Sequence, residues 1–282
     1  MVGVIFGPWR RRNVPSGLPT LETTPLTVIT GATGGIGEAL AYELADAGHH
    51  LLLLGRNEAG LRALSEALKE KSDKTILTLA VDLLSEDAGV FIETVAQAKG
   101  FHVACLINNA GLGEPDHFLE SDYPALKKVM DLNMQVLVEL THHFLPGMVA
   151  RGNGAVINMA SIGGLAPAPY QSIYYATKAF VINFTESLAH EVRGRGVYVG
   201  AVLPGPTKTG FHDKIGGRRA LYLKVMGQMK SELVARSTHR ALLMQHWPII
   251  TPGVILMLLG FCLRVIPPSL LTPLMGLLYK KK

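Results

Sequence analysis

The chain has 282 residues, of which 48% are apolar, and a formal net charge of +5. This length fits one undivided α/β domain, and the mean hydropathy of +0.27 is high for a water-soluble enzyme. The basic residues are scattered, apart from clusters at Arg10–Arg12 and Lys280–Lys282. Neither cluster is interleaved with the aromatic side chains on which bases stack, so nucleic acid is not an expected partner.

Residues 1–24 contain Pro15, Gly17 and Pro19 and are expected to form a flexible extension. The apolar run near the start is too short for a secretory signal, and a cytoplasmic location is expected. Cys105 and Cys262 are typical of small core residues rather than of a disulfide. The histidines contain no His-Glu-x-x-His pattern, so no metal site is predicted.

Short apolar runs alternate with helical stretches from residue 25 onward. The predicted strands are Leu26–Thr30, His50–Gly55, Thr75–Val81, Val103–Ile107, Ala155–Met159 and Val197–Leu203. The predicted helices are Ile36–Ala47, Glu58–Lys71, Ser85–Lys99, Tyr123–Ala150 and Ser172–Arg193. Nearly continuous apolar strands are typical of a parallel sheet that is buried on both faces. The pattern predicts a doubly wound, Rossmann-type α/β domain over residues 25–251, with ligands at the carboxyl ends of the strands.

A glycine-rich turn directly follows the first predicted strand. Gly31, Gly35 and Gly37 have the spacing G-x-x-x-G-x-G. Such a turn lets the backbone approach a pyrophosphate at a helix N-terminus. The sequence therefore predicts a nucleotide site that also includes Thr33, Gly34 and Ile36. The alternative is a glycine-rich turn that binds nothing.

Arg56 comes about 20 residues after this turn, at the end of the second strand. An acidic residue there would accept hydrogen bonds from a ribose 2′-hydroxyl, whereas an arginine accommodates a 2′-phosphate. The strand end carries no carboxylate, and Glu58 comes one turn too late. NADP(H) is therefore favoured over NAD(H). The alternative is a solvent-facing arginine beside Asn57, which would cap the next helix.

Tyr174 and Lys178 are four residues apart, which places them on one face of a helix. A nearby ammonium favours the phenolate and so lowers the pKa of the tyrosine. Such a phenol can protonate a carbonyl oxygen or deprotonate an alcohol near neutral pH. Tyr170 and Tyr175 have no lysine four residues on, so Tyr174 is the predicted acid/base.

The chain combines the glycine turn and the Tyr174–Lys178 pair with further motif residues: Asp82, Asn108–Gly111, Asn133, Ser161 and Pro204-Gly205. In this combination it resembles the short-chain dehydrogenase/reductase family from about Pro25 to Thr209. The resemblance implies that Ser161 holds the substrate oxygen and that Lys178 also binds the nicotinamide ribose. It implies that Asn133 anchors a water next to Lys178.

On the cofactor side, the resemblance implies that Asp82 contacts the adenine edge and that Asn109, Ala110 and Gly111 line the adenosine side. The loop at Pro204-Gly205 would hold the nicotinamide carboxamide together with a threonine, for which Thr207 is preferred to Thr209. A substrate lid is expected near residues 207–231.

The leading hypothesis is an NADP(H)-dependent oxidoreductase that interconverts a carbonyl and an alcohol on a lipophilic substrate and forms a homo-oligomer. A steroid, a 3-oxoacyl chain, a retinoid and a small ketone all stay open as substrates. The alternatives are a non-catalytic cofactor-binding sensor and a membrane-surface protein.

The apolar tail, residues 252–282, contains two predicted short helices, Val254–Leu263 and Leu270–Tyr279. Neither is long enough to span a bilayer. They are expected to be buried against a partner subunit, or in the headgroup region at the inner or cytosolic face of a membrane.

Overall fold

In the computed structural model, described for residues 23–85, 87–113, 118–209 and 227–279, seven parallel strands form one sheet. The strands are β1 (Thr24–Thr30), β2 (Leu51–Gly55), β3 (Ile76–Ala80), β4 (Phe101–Asn108), β5 (Gly154–Met159), β6 (Val197–Val202) and β7 (Ile249–Ile250). Their spatial order is β3-β2-β1-β4-β5-β6-β7. The predicted doubly wound sheet is confirmed.

Nine α-helices lie within the described ranges. They are α1 (Gly35–Asp46), α2 (Glu58–Lys69), α3 (Ala88–Ala98), α4 (Tyr123–Met130), α5 (Val136–Arg151), α6 (Ser172–Glu191), α7 (Ser231–Met244), α8 (Val254–Val265) and α9 (Pro268–Tyr279). The predicted long fourth helix is interrupted by a π-helical turn, Asp131–Gln135, which separates α4 from α5. None of the helices in the described ranges combines the length and apolar character needed to cross a bilayer.

The strands are apolar because both faces of the sheet are covered. In β2, Leu51 and Leu53 pack into the apolar cluster that includes side chains of α1, α2 and α7. Leu52 and Leu54 face the opposite cluster, which includes side chains of α3, α5 and α6. All four leucines are fully buried. This two-sided burial explains why the strand has no polar alternation.

Several sequence expectations differ from the structure or lie outside it. The two-residue strand β7 was not predicted, because it is recognised only by its pairing with Ala201 and Val202. Cys262 is exposed on α8, so the expectation of a core cysteine there was wrong, whereas Cys105 is buried. The expected flexible extension (residues 1–22) and most of the expected lid (residues 210–226) lie outside the described residues.

A ladder of buried polar side chains crosses the middle of the sheet. Asn108 Nδ2 donates to Thr141 Oγ1 at 3.1 Å and to Asn158 Oδ1 at 2.9 Å. Asn158 Nδ2 in turn donates to Thr185 Oγ1 at 3.0 Å. Buried polar groups are tolerated when they are hydrogen-bonded in this way. The ladder joins β4 and β5 to α5 and α6, the elements that carry the site.

Asn158→Ala is expected to lower the free energy of unfolding by about 2–4 kcal/mol, because it removes two buried hydrogen bonds and leaves a void. Asn153→Ala, at an exposed position just before β5, is the matched control and should change it by less than about 0.5 kcal/mol. Urea unfolding of both variants measures the difference. Equal stabilities would show that the ladder contributes nothing.

Candidate active site

The glycine turn and the segment after β4 meet at the centre of the sheet. β1 and β4 are neighbours, while the chain continues from β1 towards β2 on one side and from β4 towards β5 on the other. This is the topological switch point at which open α/β sheets bind ligands, outside the carboxyl ends of the strands. The fold therefore places both predicted nucleotide-binding segments at one crevice.

Asn109 braces the glycine turn. Its Nδ2 donates to the carbonyl oxygens of Thr30 at 2.9 Å and Gly31 at 3.2 Å. The Thr30 hydroxyl oxygen accepts from the backbone N–H groups of Asn109 and Ala110, both at 2.9 Å. Gly31 has φ of 64°, and a Cβ atom there would lie 3.0 Å from Ala110 Cα. Only glycine satisfies both the left-handed backbone and this close approach.

The helix that follows the turn starts with its N-terminus open. Gly34 is the N-cap of α1, and no side chain in the described part of the chain caps it. A Cβ atom on Gly37 would collide with the Gly31 carbonyl oxygen, and one on Gly35 would lie 2.8 Å from Thr209 Cβ. The result is a cradle of bare backbone at a helix N-terminus, which fits a pyrophosphate. Ile36 lies in the first turn of this helix.

The second and third strands end with the residues predicted to reach the adenosine half. Arg56 is exposed directly after β2, and Asp82 is exposed two residues after β3. Thr33 links the turn to this region, because a Cβ atom on Gly55 would lie 3.4 Å from Thr33 Oγ1. Glu58, the nearest rival carboxylate, is paired with Arg62 at 3.1 Å.

Two side-chain hydrogen bonds stabilise the local structure around Arg56 and Asp82. Asn57 caps α2 by accepting from the Gly60 N–H at 3.1 Å, which is the cap named in the alternative interpretation of Arg56. Asp82 Oδ1 accepts from the Leu84 N–H at 3.1 Å, which fixes the turn after β3. Arg56 and Asp82 lie at the ends of adjacent strands, apart from the predicted catalytic residues.

Lys178 is the central charged group on the catalytic side. It is only 6% exposed, and its Nζ donates to the Met159 carbonyl oxygen at 2.8 Å. The same Nζ lies 5.8 Å from the centre of the Tyr174 ring. Burial lowers the pKa of Lys178 from its usual value near 10.5 to about 8, because the ammonium is removed from water. The lysine is still mainly protonated at pH 7.

Asn133 lies in the π-helical turn and near Lys178. Its Oδ1 accepts from the Leu112 N–H at 2.8 Å, and its Nδ2 donates to the Leu112 carbonyl at 2.9 Å and to Thr177 Oγ1 at 3.1 Å. A Cβ atom on Gly111 would lie 3.2 Å from Asn133 Oδ1 and 3.6 Å from Lys178 Nζ. The expected water next to Asn133 stays a prediction, for which Oδ1 retains a second lone pair.

Ser161 and the loop after β6 complete the site. Ser161 Oγ accepts from the Gly163 N–H at 3.1 Å, which starts the 3₁₀ turn Ile162–Leu165. Ile162 N–H donates to the Pro204 carbonyl at 3.0 Å, so the Ser161 segment and the Pro204-Gly205 loop are joined. Thr207 is buried, and its hydroxyl donates to the Gly205 carbonyl at 2.9 Å.

The contact of Thr209 with the glycine turn and the part played by Thr177 were not predicted from sequence. Thr209 lies against Gly35, so it contacts the glycine turn, while the preferred Thr207 supports its own loop. Thr177 joins Asn133 to the Tyr174 carbonyl, to which its hydroxyl donates at 2.7 Å. The only sequence signal for Thr177 was its place next to Lys178. Among the described residues, no group of His, Cys, Asp or Glu is arranged to hold a metal ion.

The burial of Lys178 predicts an unusual pH dependence of stability. The folded pKa of about 8 lies below the unfolded value near 10.5, so the folded state binds fewer protons within this window. The free energy of unfolding of the cofactor-free protein should therefore rise with pH above about 8, by up to about 3 kcal/mol.

Urea midpoints between about pH 7.5 and 9.5 measure this rise, which should vanish in Lys178→Met. Above about pH 10 the free energy of unfolding should fall again with pH. Burial raises the pKa of Tyr198, so its phenol ionises in the unfolded state before it ionises in the folded state. An equal pH slope in wild type and Lys178→Met would contradict the prediction.

Comparison with known proteins agrees with this geometry. The family model described as short chain dehydrogenase matches residues 25–219, so α8 and α9 lie beyond it. Human very-long-chain 3-oxoacyl-CoA reductase is 39% identical over 183 residues, which cover 63% of this chain and 57% of the relative. The chain thus matches little more than half the length of that relative. Sulfoacetaldehyde reductase 2 of Chromohalobacter salexigens is 37% identical over 188 residues, with coverage of 66% and 74%.

Solved structures share the fold. A short-chain dehydrogenase from Sphingobium yanoikuyae in complex with NADPH has a TM-score of 0.76 and 29% identity, covering 85% of this chain and 92% of that one. A 7beta-hydroxysteroid dehydrogenase has a TM-score of 0.79 at 20% identity, with coverage of 90% and 97%, which supports the fold alone. Since the family model covers more than half of the residues, the chain belongs to the short-chain dehydrogenase family.

Proposed function

We propose that the protein is an NADP(H)-dependent oxidoreductase that interconverts a ketone or aldehyde with an alcohol on a lipophilic substrate. The observation that carries this proposal is the buried Lys178 ammonium, 5.8 Å from the centre of the Tyr174 ring, next to a glycine-lined nucleotide crevice. A nicotinamide bound there would supply the hydride. The residues of the chain then have to orient the carbonyl and deliver a proton.

Tyr174 is the proposed proton donor in reduction and acceptor in oxidation. Lys178, still mainly protonated at pH 7, favours the phenolate and so brings the phenol into the working range of an acid/base. The Ser161 hydroxyl would orient the substrate oxygen. Asn133 holds the segment at Gly111 and Leu112 beside Lys178, which supports its proposed part in reprotonation.

Tyr174→Phe is expected to lower kcat by about 10²–10⁴ because the proton donor is lost, with little change in NADPH affinity. Tyr175→Phe is the matched control, since it removes the hydroxyl of the neighbouring tyrosine and keeps the ring that lies against Gly163. NADPH oxidation with a carbonyl substrate, and a separate titration of NADPH binding, provide the two readouts. Wild-type turnover in Tyr174→Phe would refute the assignment.

The preference for NADP(H) rests on Arg56. Its guanidinium is exposed at the end of β2, and Glu58, the next carboxylate along the chain, is engaged with Arg62. A ribose 2′-phosphate would therefore meet a cation at the strand end that in NAD-binding sites carries a carboxylate. The solved relative that holds NADPH supports the same assignment.

Arg56→Asp is expected to lower kcat/KM for NADPH by about 10- to 100-fold, because a charge-assisted bond is replaced by repulsion. The value for NADH should be unchanged or higher, since a carboxylate can accept from the 2′-hydroxyl. Arg236→Asp, exposed on α7, controls for the change in net charge. A wild type that prefers NADH would overturn the proposal.

The substrate class is drawn from the relatives and from the surroundings of the site. One relative is named for very-long-chain 3-oxoacyl-CoA and another for sulfoacetaldehyde. The side chains near the Ser161 segment include Leu165 and Leu256, which favour the lipophilic class. A non-catalytic cofactor-binding sensor is the second candidate, and retention of Tyr174 and Lys178 in contact argues against it.

Assembly and location are proposed with the same function. A homo-oligomer is supported by Phe180 on α6, which is 39% exposed and stacks on the partly buried Phe184 at 5.8 Å. Sedimentation velocity tests it, and a monomer at working concentrations would exclude it. We place the enzyme in the cytoplasm, at the inner or cytosolic face of a membrane.

A further inference from the structure

The inner face of α8 packs against the loops that carry the proposed catalytic residues. A Cβ atom on Gly205 would lie 3.0 Å from Leu256 Cδ2, so Leu256 covers the Pro204-Gly205 loop. A Cβ atom on Gly260 would lie 3.1 Å from Ile162 Cδ1, directly after Ser161. α8 is therefore a wall of the site.

The inner face of α9 covers the other side of the same region. Met275 and Leu278 pack with Ala168 and Tyr175 in one apolar cluster. Tyr175 directly precedes the turn of α6 that carries Lys178 and adjoins Tyr174. Both tail helices thus contact segments that position the proposed catalytic group.

The outer face of α8 is apolar and uncovered. Six large side chains are each more than half exposed: Val254, Ile255, Met257, Leu258, Phe261 and Val265. At 3.6 residues per turn they occupy an arc of about 160° opposite the packed stripe. The only charged residue of the helix, Arg264, is outside this arc and paired with Glu186 at 3.3 Å.

The outer face of α9 is also apolar and exposed. Leu270, Leu274 and Leu277 are 68%, 53% and 70% exposed. Exposed apolar faces on two successive helices differ from the single exposed apolar residues normal on soluble proteins. Exposure to water is unfavourable by about 25 cal/mol for each Å².

The chemistry of the surroundings identifies the partner. Each tail helix has 12 residues, about 18 Å, which is too short for a hydrocarbon core of about 30 Å. In the sequence, Lys280–Lys282 follow α9 directly, and a cationic cluster beside an apolar helix face complements anionic headgroups.

We infer that α8 and α9 form a two-sided docking element. Their outer faces rest in the headgroup region of an anionic bilayer, while their inner faces close the substrate side of the catalytic site. The inference rests on the proposed function only for its consequence: a lipophilic carbonyl would reach Tyr174 from the lipid without crossing water.

Flotation of the full-length protein with phosphatidylcholine vesicles, with and without phosphatidylglycerol, tests the docking surface. Wild type should float with the anionic vesicles, and less so at high salt. The double variant Ile255→Glu/Leu258→Glu should bind at least about 100-fold more weakly, because two apolar anchors become charged. Val90→Glu/Phe91→Glu, at two exposed apolar positions on α3, is the matched control and should float like wild type.

Activity separates docking from chemistry. On a water-soluble carbonyl the Ile255→Glu/Leu258→Glu variant should retain the wild-type rate, and on a vesicle-borne carbonyl it should lose rate in proportion to binding. Wild type that stays out of the anionic vesicles at low salt overturns the inference. The inference is also overturned if wild type is a dimer that does not float and the Ile255→Glu/Leu258→Glu variant is a monomer. Flotation without turnover of any carbonyl leaves docking supported and refutes the proposed function.

Discussion

An ammonium group that is buried among apolar segments destabilises a fold unless hydrogen bonds replace its lost water. Lys178 is such a group, and the structure around it has to supply those hydrogen bonds. Its ammonium donates to the carbonyl oxygen of Met159, the last residue of β5. Burial lowers its pKa to about 8. The same burial increases the influence of the charge on the adjacent phenol, because the local dielectric is low. The cost to stability and the proposed catalytic benefit therefore have one origin.

The surrounding backbone is arranged to keep this lysine in place. β5 supplies the Met159 carbonyl, and the π-helical turn brings Asn133 against Leu112 after β4. π-Helical turns are rare and often occur at functional sites, since they re-aim one side chain within a helix. The Asn108–Asn158 bond ties β4 to β5 beneath these segments. The site thus depends on polar contacts within the core as well as on its loops.

The sequence predicted those features that depend on local spacing. Apolar runs predicted six of the seven strands, because the central strands are buried on both faces and even the edge strand β3 buries Ile76. The glycine spacing predicted the turn after β1. β7 and the close approach of Thr209 to Gly35 could not be predicted, since both depend on residues far apart in the chain. The π-helical turn has no signal in apolar periodicity, which is why one continuous helix was expected from Tyr123 to Ala150.

The tail shows that one apolar composition can form both a packed face and an exposed face. Apolar residues occur around most of α8, so composition alone could not distinguish a packed helix from a lipid-facing one. In the structure, glycines mark the packed face of α8. Gly260 on the helix allows close contact with Ile162, and Gly205 in the loop allows close contact with Leu256. Small residues let a helix pack tightly through a narrow stripe, which leaves the larger side chains on the outer arc. A narrow stripe buries little apolar area and stabilises the packed tail only modestly, whereas most of the apolar area of α8 lies on the arc that the fold leaves exposed.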